Sequence, residues 1–538
     1  GTAITTGDSN TALGYNALAS EDEGNQNTAV GVNALANLNS GTNYNVAVGS
    51  GAGKEATTAA ACTFIGGISG QFVSTGSSST FVGYSAGLGI TGAKLTGGDN
   101  TAVGRDAGLL LQGAANGNSL FGRNSGDAIT TGSRITAIGY GALSAETTGT
   151  RATAVGYFAL AVQNKAAESH NTAVGYNSSG AVTSGDHNTS MGYGSFDDCI
   201  DASYNTAIGS GSLSADCGNS NTAIGYAAGN AATGVGSTFL GQTAGFYPTS
   251  ANYCTFVGHQ AGYGISGTRL TGAENVAVGH NAGVNLQGAA GSCTLIGSYA
   301  GDSVTTGSSN TIMGYNAGPL LNTGDFNVLI GIGAGSALTT GRFNTAVGPN
   351  ACGNSNQTGG FNVYLGYLAS ASANNISGSI IITSGNRNSI DKGASSGFID
   401  PDLGNMFQGN NSANWSTTSD RRLKKNIVDS SIGLAEINQI QVRNFEYRTK
   451  DEITDFDNTV VDAAGLTEAE RNAIGVEGVQ VGVIAQEIQA VLPKCIKEES
   501  TGVLSVNPDN LTWHLIKAVQ ELSAKNDALE ARIETLEG

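Results

Sequence analysis

A short charged segment, Thr417–Ile427, interrupts a chain that is otherwise poor in charge. It carries five charged residues within six positions: Asp420, Arg421, Arg422, Lys424 and Lys425. Ser419 lies five residues before Lys424. A serine hydroxyl becomes a nucleophile when a base takes its proton, and a lysine can be that base where burial or neighbouring cations lower its pKa. Because this spacing is common, the segment alone is best read as a solvated linker, with a basic patch for nucleic acid as a further alternative.

The composition of the whole chain argues against the nucleic-acid interpretation. The 538 residues include 81 Gly and only 6 Pro, charged residues make up 12%, and the formal net charge is −18. An acidic chain with one short basic segment is unlike a nucleic-acid-binding protein.

Abundant small residues at low charge indicate a repetitive β structure rather than disorder. No stretch approaches 18 consecutive apolar residues, so we expect no membrane insertion.

The residues that commonly hold metals or disulfides show no such pattern here. The seven cysteines are odd in number and include no C-x-x-C pair, so we expect neither a disulfide framework nor a zinc site. Cys62, Cys254 and Cys293 each replace the Asn that opens a repeat, which indicates small buried residues in a stack. The four histidines in the repeats lack metal-ligand spacing and are interpreted as surface or stacked residues: His170, His187, His259 and His280. We therefore expect no cofactor and no metal.

The dominant feature of the sequence is a repeat of the form "NTAVGYNAL". Its central Gly recurs 21 times, every 17–18 residues on average, at positions 14, 31, 49, 66, 83, 104, 122, 139, 156, 175, 192, 209, 225, 241, 258, 279, 297, 314, 331, 348 and 366. The sequence at 80–104 closely matches that at 255–279, so a block of ten repeats has been duplicated.

Each repeat reads as one coil of a β-solenoid. Thr-Ala-Val alternates as a short strand does, Gly ends it where the chain turns or another backbone comes close, and a polar turn leads to the next Asn. Twenty-one coils at about 4.8 Å each predict a rod on the order of 100 Å long. We expect the inward residues to be mostly Ala and Val. So small a core favours several chains sharing one axis.

The composition changes abruptly near residue 419. Of the 24 Lys and Arg, 11 lie in residues 1–418 and 13 in residues 419–538. Residues 370–418 are irregular and β-rich, and an α+β pattern follows, with a helix at 430–440, a strand at 441–448 and a strand passing into a helix that stops at Pro493. A heptad pattern with Leu at d and Val, Asn and Ile at a then predicts a parallel coiled coil over about 511–537. The heptad positions are Leu515, Val519, Leu522, Asn526, Leu529, Ile533 and Leu536.

The repeats over residues 7–370 resemble the "NSxAIG" head repeats of trimeric autotransporter adhesins and the collar-like repeats of phage fibres. "SDRRLKKNI", "GLAEINQIQVRNFEYR", "GVIAQEIQAVLP" and the Leu heptad, in this order, resemble the intramolecular chaperone domain of phage tail spikes and fibres, peptidase family S74. A related domain occurs in myelin regulatory factor proteins. The resemblance implies a domain that trimerises, directs folding of the upstream fibre and then cuts itself off. Carried over, the catalytic dyad is Ser419 and Lys424, and the scissile bond is Thr418–Ser419. Where many relatives have Asp-Tyr, this chain has Asn507 and Pro508.

These patterns together predict a mainly β protein in three parts: a fibre shaft at 1–369, a transition or tip segment at 370–418, and the chaperone at 419–538. We expect a parallel homotrimer in a virion tail fibre of a phage or phage-like particle, made in the host cytoplasm. The expected partners are a host surface receptor, either a glycan or a protein, bound through residues 370–418, and the rest of the tail or baseplate through a missing N-terminal part. The only expected enzymatic activity is one self-cleavage. The alternative is a bacterial trimeric adhesin with a trimerisation domain that does not cleave.

Overall fold

In the computed structural model the chain divides into two compact units, Gly1–Thr418 and Ser419–Gly538. Each unit has its own hydrophobic core. The structure describes residues 3–39, 41, 43–353, 358–370, 374–383, 397–400, 406–408, 416–417, 421, 424–448, 452–453, 478–498 and 504–538.

The first unit is a parallel β-solenoid wound from a single chain. Each repeat contributes one three-residue strand, and equivalent residues pair from coil to coil, as in Thr11 with Thr28 and Thr28 with Val46. Coils are numbered here by their strand. Strands β1–β21 are Thr11–Leu13, Thr28–Val30, Val46–Val48, Thr63–Ile65, Thr80–Val82, Thr101–Val103, Ser119–Phe121, Thr136–Ile138, Thr153–Val155, Thr172–Val174, Thr189–Met191, Thr206–Ile208, Thr222–Ile224, Thr238–Leu240, Thr255–Val257, Val276–Val278, Thr294–Ile296, Thr311–Met313, Val328–Ile330, Thr345–Val347 and Val363–Leu365. The predicted solenoid of about 21 coils is confirmed.

The stack continues beyond the last repeat and then changes direction. Strand β22, Ile380–Thr383, pairs in parallel with β21, and β23, Gly397–Asp400, pairs in parallel with β22. Strands β24, Met406–Gln408, and β25, Ser416–Thr417, are antiparallel. The regular winding therefore gives way to hairpin-like pairing within residues 370–418.

The core of the solenoid differs from the sequence expectation in one respect. The middle residue of the strand, such as Ala29 or Phe64, is buried, whereas the Val that follows it points outward. The prediction of an interior of Ala and Val is wrong for the strand Val, because a three-residue strand turns only its middle side chain inward. The valines that are buried lie outside the strands: Val73, Val182 and Val304. Leucines after the corner, such as Leu35 and Leu160, and buried rings such as Phe81 complete the interior. The interior is thus filled by larger side chains than an interior of Ala and Val would contain.

The central glycines are explained by contact between neighbouring coils. Gly175 has a φ of +142°, and a Cβ built on it would lie 2.3 Å from the carbonyl oxygen of Gly192 in the next coil. The same close approach recurs from Gly14 to Gly348, with 2.1–2.7 Å to the next glycine's backbone. Any side chain here would collide with backbone, so the column admits only glycine.

The Asn that opens 14 of the 21 repeats forms an internal ladder. Asn327 is fully buried, and its Oδ1 accepts hydrogen bonds from the backbone N and the side-chain Nδ2 of Asn344, at 3.0 and 3.1 Å. Its own Nδ2 donates to the carbonyl of Gly341 at 2.9 Å. Cys62 stands in the ladder as predicted, with its backbone N donating to Asn45 Oδ1. The ladder satisfies buried backbone groups at the turn before each strand.

The duplicated block is visible as repeated structure. The two longer coils add parallel bridges from Val73 to Leu95 and from Leu95 to Gly113, and the same bridges recur at Pro248, Leu270 and Gly288. The three positions in the second set follow those in the first at one constant offset, which is the length of the duplicated block. The two copies therefore fold alike.

The second unit is a small α+β fold. Strand β26, Arg443–Phe445, pairs antiparallel with β27, Gln480–Gly482, and β28, Ile496–Glu498, pairs antiparallel with β29, Leu504–Val506. The helices are α1, Leu434–Ile437, α2, Ala485–Val491, a 3-10 turn at Pro493–Cys495, and α3, Pro508–Glu537. Helix α2 ends before Pro493 as predicted, since proline cannot continue it. Among the described residues, no helix combines the length and apolar character needed to cross a membrane.

Candidate functional site

The candidate dyad is only partly within the described residues. Thr418 and Ser419 lie outside them, so the structure gives no distance between the serine hydroxyl and Lys424. Lys424 is exposed, and its backbone N donates to the carbonyl of Arg421 at 3.2 Å. Arg421 and Lys425, two of the cations expected to surround it, are also exposed, and Arg422 lies outside the described residues.

The segment that carries Lys424 leads into helix α1, which is fastened to the long helix α3. Leu434 N donates to Glu521 Oε2 at 2.8 Å, and Gly433 N donates to Glu436 Oε2 at 2.9 Å. A Cβ built on Gly433 would lie 2.3 Å from Glu521 Oε1, so the carboxylate lies directly against this glycine. These bonds satisfy amides at the helix N-terminus.

The core of the second unit fixes the remaining elements around that contact. Ile488 and Leu492 of the α2 region and Cys495 are buried, and Leu511 from the start of α3 packs against them. On the surface, Arg443 forms a two-bond ion pair with Glu487, at 3.2 and 2.9 Å. This pair joins β26 to α2.

The environment of Lys424 bears on its chemistry. Removing a lysine from water favours its neutral form, which is the form that can accept a proton from serine. In the described part of the single chain Lys424 is exposed to solvent.

The shaft carries an unexpected continuous surface, here called the apolar stripe. It consists of the last residue of every strand β1–β21: Leu13, Val30, Val48, Ile65, Val82, Val103, Phe121, Ile138, Val155, Val174, Met191, Ile208, Ile224, Leu240, Val257, Val278, Ile296, Met313, Ile330, Val347 and Leu365. Met191 is 47% exposed and Phe121 39%. The apolar stripe could have been predicted from the sequence, because the position before the central Gly is apolar in every repeat.

The histidines and cysteines of the repeats lie in stacks. His170 stacks on His187 with ring centroids 4.7 Å apart, and His259 on His280 at 5.2 Å. All seven cysteines are buried, as predicted for the three that replace the opening Asn of a repeat. The described residues contain no group of three or more His, Cys, Asp or Glu placed to hold a metal ion.

Comparison with known proteins identifies the second unit. Residues 419–497 match the peptidase S74 family, described as chaperone of endosialidase. The C-terminal part of this chain carries a chaperone-of-endosialidase domain. The match begins at Ser419, where the second compact unit also begins. The β-solenoid body preceding this chaperone domain is consistent with a tail fibre or tail spike.

A curated relative also matches over part of the chain. Myelin regulatory factor homolog 1 of Caenorhabditis elegans is 29% identical over 116 residues, which is 22% of this chain and 11% of the relative. The chain thus spans about a tenth of that protein's length. No solved structure matches the chain.

Proposed function

We propose that this protein is a trimeric viral tail fibre, of a phage or phage-like particle, that attaches to a host surface and is folded by a chaperone which then removes itself. The proposed parts are the shaft at 1–369, the tip at 370–418 and the chaperone at 419–538. The observation that carries the proposal is the agreement of two boundaries at Ser419, that of the family match and that of the second compact unit.

The apolar stripe supports assembly of three chains along the shaft. It runs through all 21 coils without a polar interruption, which is far more than the isolated apolar residues of an ordinary surface. The same stripe on another copy of the chain matches it in length and regularity. We propose that the stripes of three chains face one another about a common axis.

The end of helix α3 supports the same assembly. Its heptad residues Leu515, Leu522, Leu529 and Leu536 are each at least half exposed in the single chain, as are Val519 and Ile533. Ala518, on the other side, is buried against the domain. One face of α3 thus belongs to its own domain, and the heptad face fits a parallel trimeric coiled coil, with Asn526 helping to fix the register.

The proposed reaction is a single cleavage within each chain. Ser419 Oγ attacks the carbonyl carbon of Thr418 while its proton passes to Lys424 Nζ, and the Thr418–Ser419 amide breaks as an ester to Oγ forms. Water then hydrolyses the ester, which leaves a carboxylate on Thr418 and a free amine and hydroxyl on Ser419. The exposed position of Lys424 in one chain supports a reaction that awaits the neighbouring chains of the trimer.

The cleavage is tested by expressing the full chain beside Ser419→Ala, Lys424→Met and Lys494→Met. On denaturing gels the wild type and Lys494→Met are expected to give two fragments, one ending at Thr418 and one beginning at Ser419, and the other two variants to stay intact. Lys494→Met is the matched control, because it removes an exposed lysine of the same domain that lies outside the charged segment 417–427.

Two results would contradict the dyad. A wild-type chain that stays full length would favour the adhesin with a non-cleaving trimerisation domain. Cutting of Ser419→Ala at the same bond would assign the reaction to another nucleophile.

The attachment site is proposed at residues 370–418, where the solenoid ends and strands β24 and β25 reverse direction. After the chaperone leaves, this segment is the free end of the fibre. Replacing it with the corresponding tip segment of another fibre is expected to change which cells the purified fibre binds. Unchanged cell binding would rule out this location.

A further inference from the structure

Four tyrosines form a stacked column on the corner that follows the strands. Tyr140, Tyr157, Tyr176 and Tyr193 occupy the position after the central Gly in coils 8–11, with successive ring centroids 5.1–5.2 Å apart and planes within 13° of parallel. In coil 12 the same position is Ser210, and Tyr226 occupies it in coil 13. The column therefore lacks one ring, in coil 12. At the spacing of two coils, the rings of Tyr193 and Tyr226 on either side are about 10 Å apart.

The gap opens into a cavity lined by aromatic rings and polar side chains together. Its volume is about 240 Å³, and its lining includes Tyr193, Ser210, Tyr226, Asp197, Ser214 and Asn230. Asn230 Nδ2 donates to Ser214 Oγ and to the carbonyl of Gly211, which holds this amide at the edge of the cavity. None of the lining residues belongs to a strand, so the cavity lies on a different side of the coil from the apolar stripe.

The chemistry of this cavity fits a sugar ring. Tyr193 and Tyr226 lie two coils apart, which corresponds to about 10 Å. This distance leaves room for one sugar ring that stacks on both aromatic rings. Asp197, Ser214 and Asn230 line one side with oxygen atoms that can accept hydrogen bonds from sugar hydroxyls. The hydrogens of Asn230 Nδ2 and Ser214 Oγ are already donated within the protein. Asp197 with the adjacent Asp198, in a chain of net charge −18, disfavours an anionic sugar.

We propose that this cavity, the tyrosine slot, binds one neutral pyranose ring of a surface glycan between Tyr193 and Tyr226. Its hydroxyls bond to Asp197, Ser214 and Asn230. The inference rests on the proposed function for the role of the glycan as host receptor, and it adds a contact on the shaft to the one proposed at the tip.

The repeat itself supplies the test. Ser210→Tyr restores the tyrosine that the neighbouring coils carry at this position, so it should fill the slot without disturbing the fold. Ser50→Tyr, at the same position after Gly49 in coil 3, is the matched control. Saturation-transfer NMR on the purified fibre uses the methyl α-glycosides of glucose, galactose and mannose, with N-acetylneuraminic acid as the anionic sugar.

At least one neutral glycoside is expected to receive saturation from wild type and from Ser50→Tyr, and at least fivefold less from Ser210→Tyr. Circular dichroism and the thermal midpoint establish that both variants are folded. The slot is refuted if no neutral glycoside is saturated or if Ser210→Tyr binds as well as wild type. Stronger saturation of N-acetylneuraminic acid than of the neutral sugars would overturn the specificity.

Adhesion of the same fibre to bacterial cells tests the proposed function separately. A fibre that binds methyl glycosides but no cell overturns host attachment and leaves the slot standing. A fibre that adheres to cells but gives no sugar signal overturns the slot alone.

An independent observation concerns two buried thiols in neighbouring coils. The Sγ atoms of Cys199 and Cys217 lie 2.7 Å apart, and both residues are almost fully buried. Neighbouring coils are spaced by about 4.8 Å, within the roughly 4.4–6.8 Å of Cα separation that a disulfide spans. The sequence expectation of no disulfide framework did not foresee this pair, because their separation along the chain has meaning only once the coil length is known.

We infer that Cys199 and Cys217 form a disulfide when the chain folds in the presence of oxidised glutathione. One thiolate displaces a glutathione thiolate, and the second thiolate then displaces the other, so one glutathione disulfide and two thiols become one protein disulfide and two reduced glutathiones. Burial raises the pKa of the folded Cys199 thiol, so the exchange belongs to folding, before the coils close.

The disulfide is tested on full chain expressed in bacteria with an oxidising cytoplasm. The protein is unfolded without reductant, treated with N-ethylmaleimide and weighed by mass spectrometry, with adducts summed over both fragments where the chain is cut. Five adducts are expected without reduction and seven after it. Cys199→Ser should give six without reduction and the control Cys293→Ser four. Seven adducts in unreduced wild type would overturn the inference.

Discussion

Single side chains in this solenoid acquire their properties from the coil position they occupy. Asp127, Asp197 and Asp302 each lie five residues after a central Gly, and in each the Oδ1 atom is buried without a hydrogen-bond partner among the described residues. Burial raises the pKa of all three carboxyls. For Asp197, burial together with the charge of Asp198 raises the pKa to about 6. Removing the charge of such a group should stabilise the fold.

We predict that Asp197→Asn raises the thermal midpoint at pH 7.5. The folded pKa lies above the unfolded value, so the folded state loses stability as pH rises through the interval from about 4 to about 6, and the amide avoids that loss. Because the carboxyl is partly solvated, the gain is roughly 1 kcal/mol. At pH 3.5 both side chains are neutral and the variant should match wild type.

Asp201→Asn, an exposed change in the same region, is the control and should alter the midpoint at neither pH. An equal gain for Asp197→Asn at pH 3.5 and pH 7.5 would show that charge is not the cause.

At the scale of the coil, backbone contact between neighbouring turns determines which residues are allowed. The central glycines meet the next coil at distances that no Cβ tolerates, and the asparagine ladder supplies hydrogen bonds that the short strands cannot. Because each coil touches mainly its two neighbours, a defect in one coil weakens both of its interfaces.

Gly175→Ala is therefore expected to destabilise the shaft by about 2–4 kcal/mol, since the new methyl group would lie against the carbonyl of Gly192. Gly92→Ala is the matched control, because nothing lies within 4 Å of a Cβ built there. Thermal midpoints and soluble yields of the two variants provide the measurement. Similar midpoints would contradict the close-packing explanation of the glycine column.

The solenoid could be predicted from the sequence because its repeat has a clear period and two characteristic residues. The period is 17–18 residues, the central Gly stands where the next coil leaves no room for a side chain, and the Asn stands where buried backbone groups need hydrogen bonds. The outward direction of Val30 and its equivalents was missed, since alternation alone does not say which residue of a three-residue strand faces inward. The tyrosine slot depends on a single Ser210 within a column, which becomes visible only when all coils are superposed. Ser419 and Lys424 rest on family resemblance, because their spacing alone is common.

At the scale of the whole molecule, the long helix and the apolar stripe raise the same question of register. Near-identical coils would tolerate three chains shifted by one repeat, because the apolar stripe looks alike at every coil. A trimeric α3 would align the chains once, at one end, before the shaft winds. Changes on the heptad face of α3 are therefore expected to impair assembly of the shaft, although α3 is not part of the shaft.

Leu522→Asp combined with Leu529→Asp should abolish the trimer and most of the soluble fibre, because six carboxylates would enter the proposed seam. Both leucines are more than half exposed in the single chain, so a monomeric domain would tolerate the change. The variant and its parent both carry Ser419→Ala so that the chain stays whole, and sedimentation measures their mass as a multiple of the 53.9 kDa chain.

The control places the same two charges at Ala524 and Ala531, two residues further along the helix and outside the heptad seam. These positions are exposed, and trimers should persist. Loss of the trimer in both pairs would indicate a general weakening of the helix rather than a broken seam.

The recurrence of the extra bridges in both copies of the duplicated block makes the length of this rod adjustable by recombination. Unequal crossing-over between the two copies would join Gly83 directly to His259 and leave a shorter chain with eleven coils. The coil before the new junction would meet a coil equivalent to its present neighbour, because the two copies of the block fold alike. The shortened rod would keep the proposed tip and cleavage segment and lose Tyr193, Ser210 and Tyr226. A single genetic event would thus change the length of the shaft and remove the proposed sugar slot, while the segment proposed for folding and release stays intact.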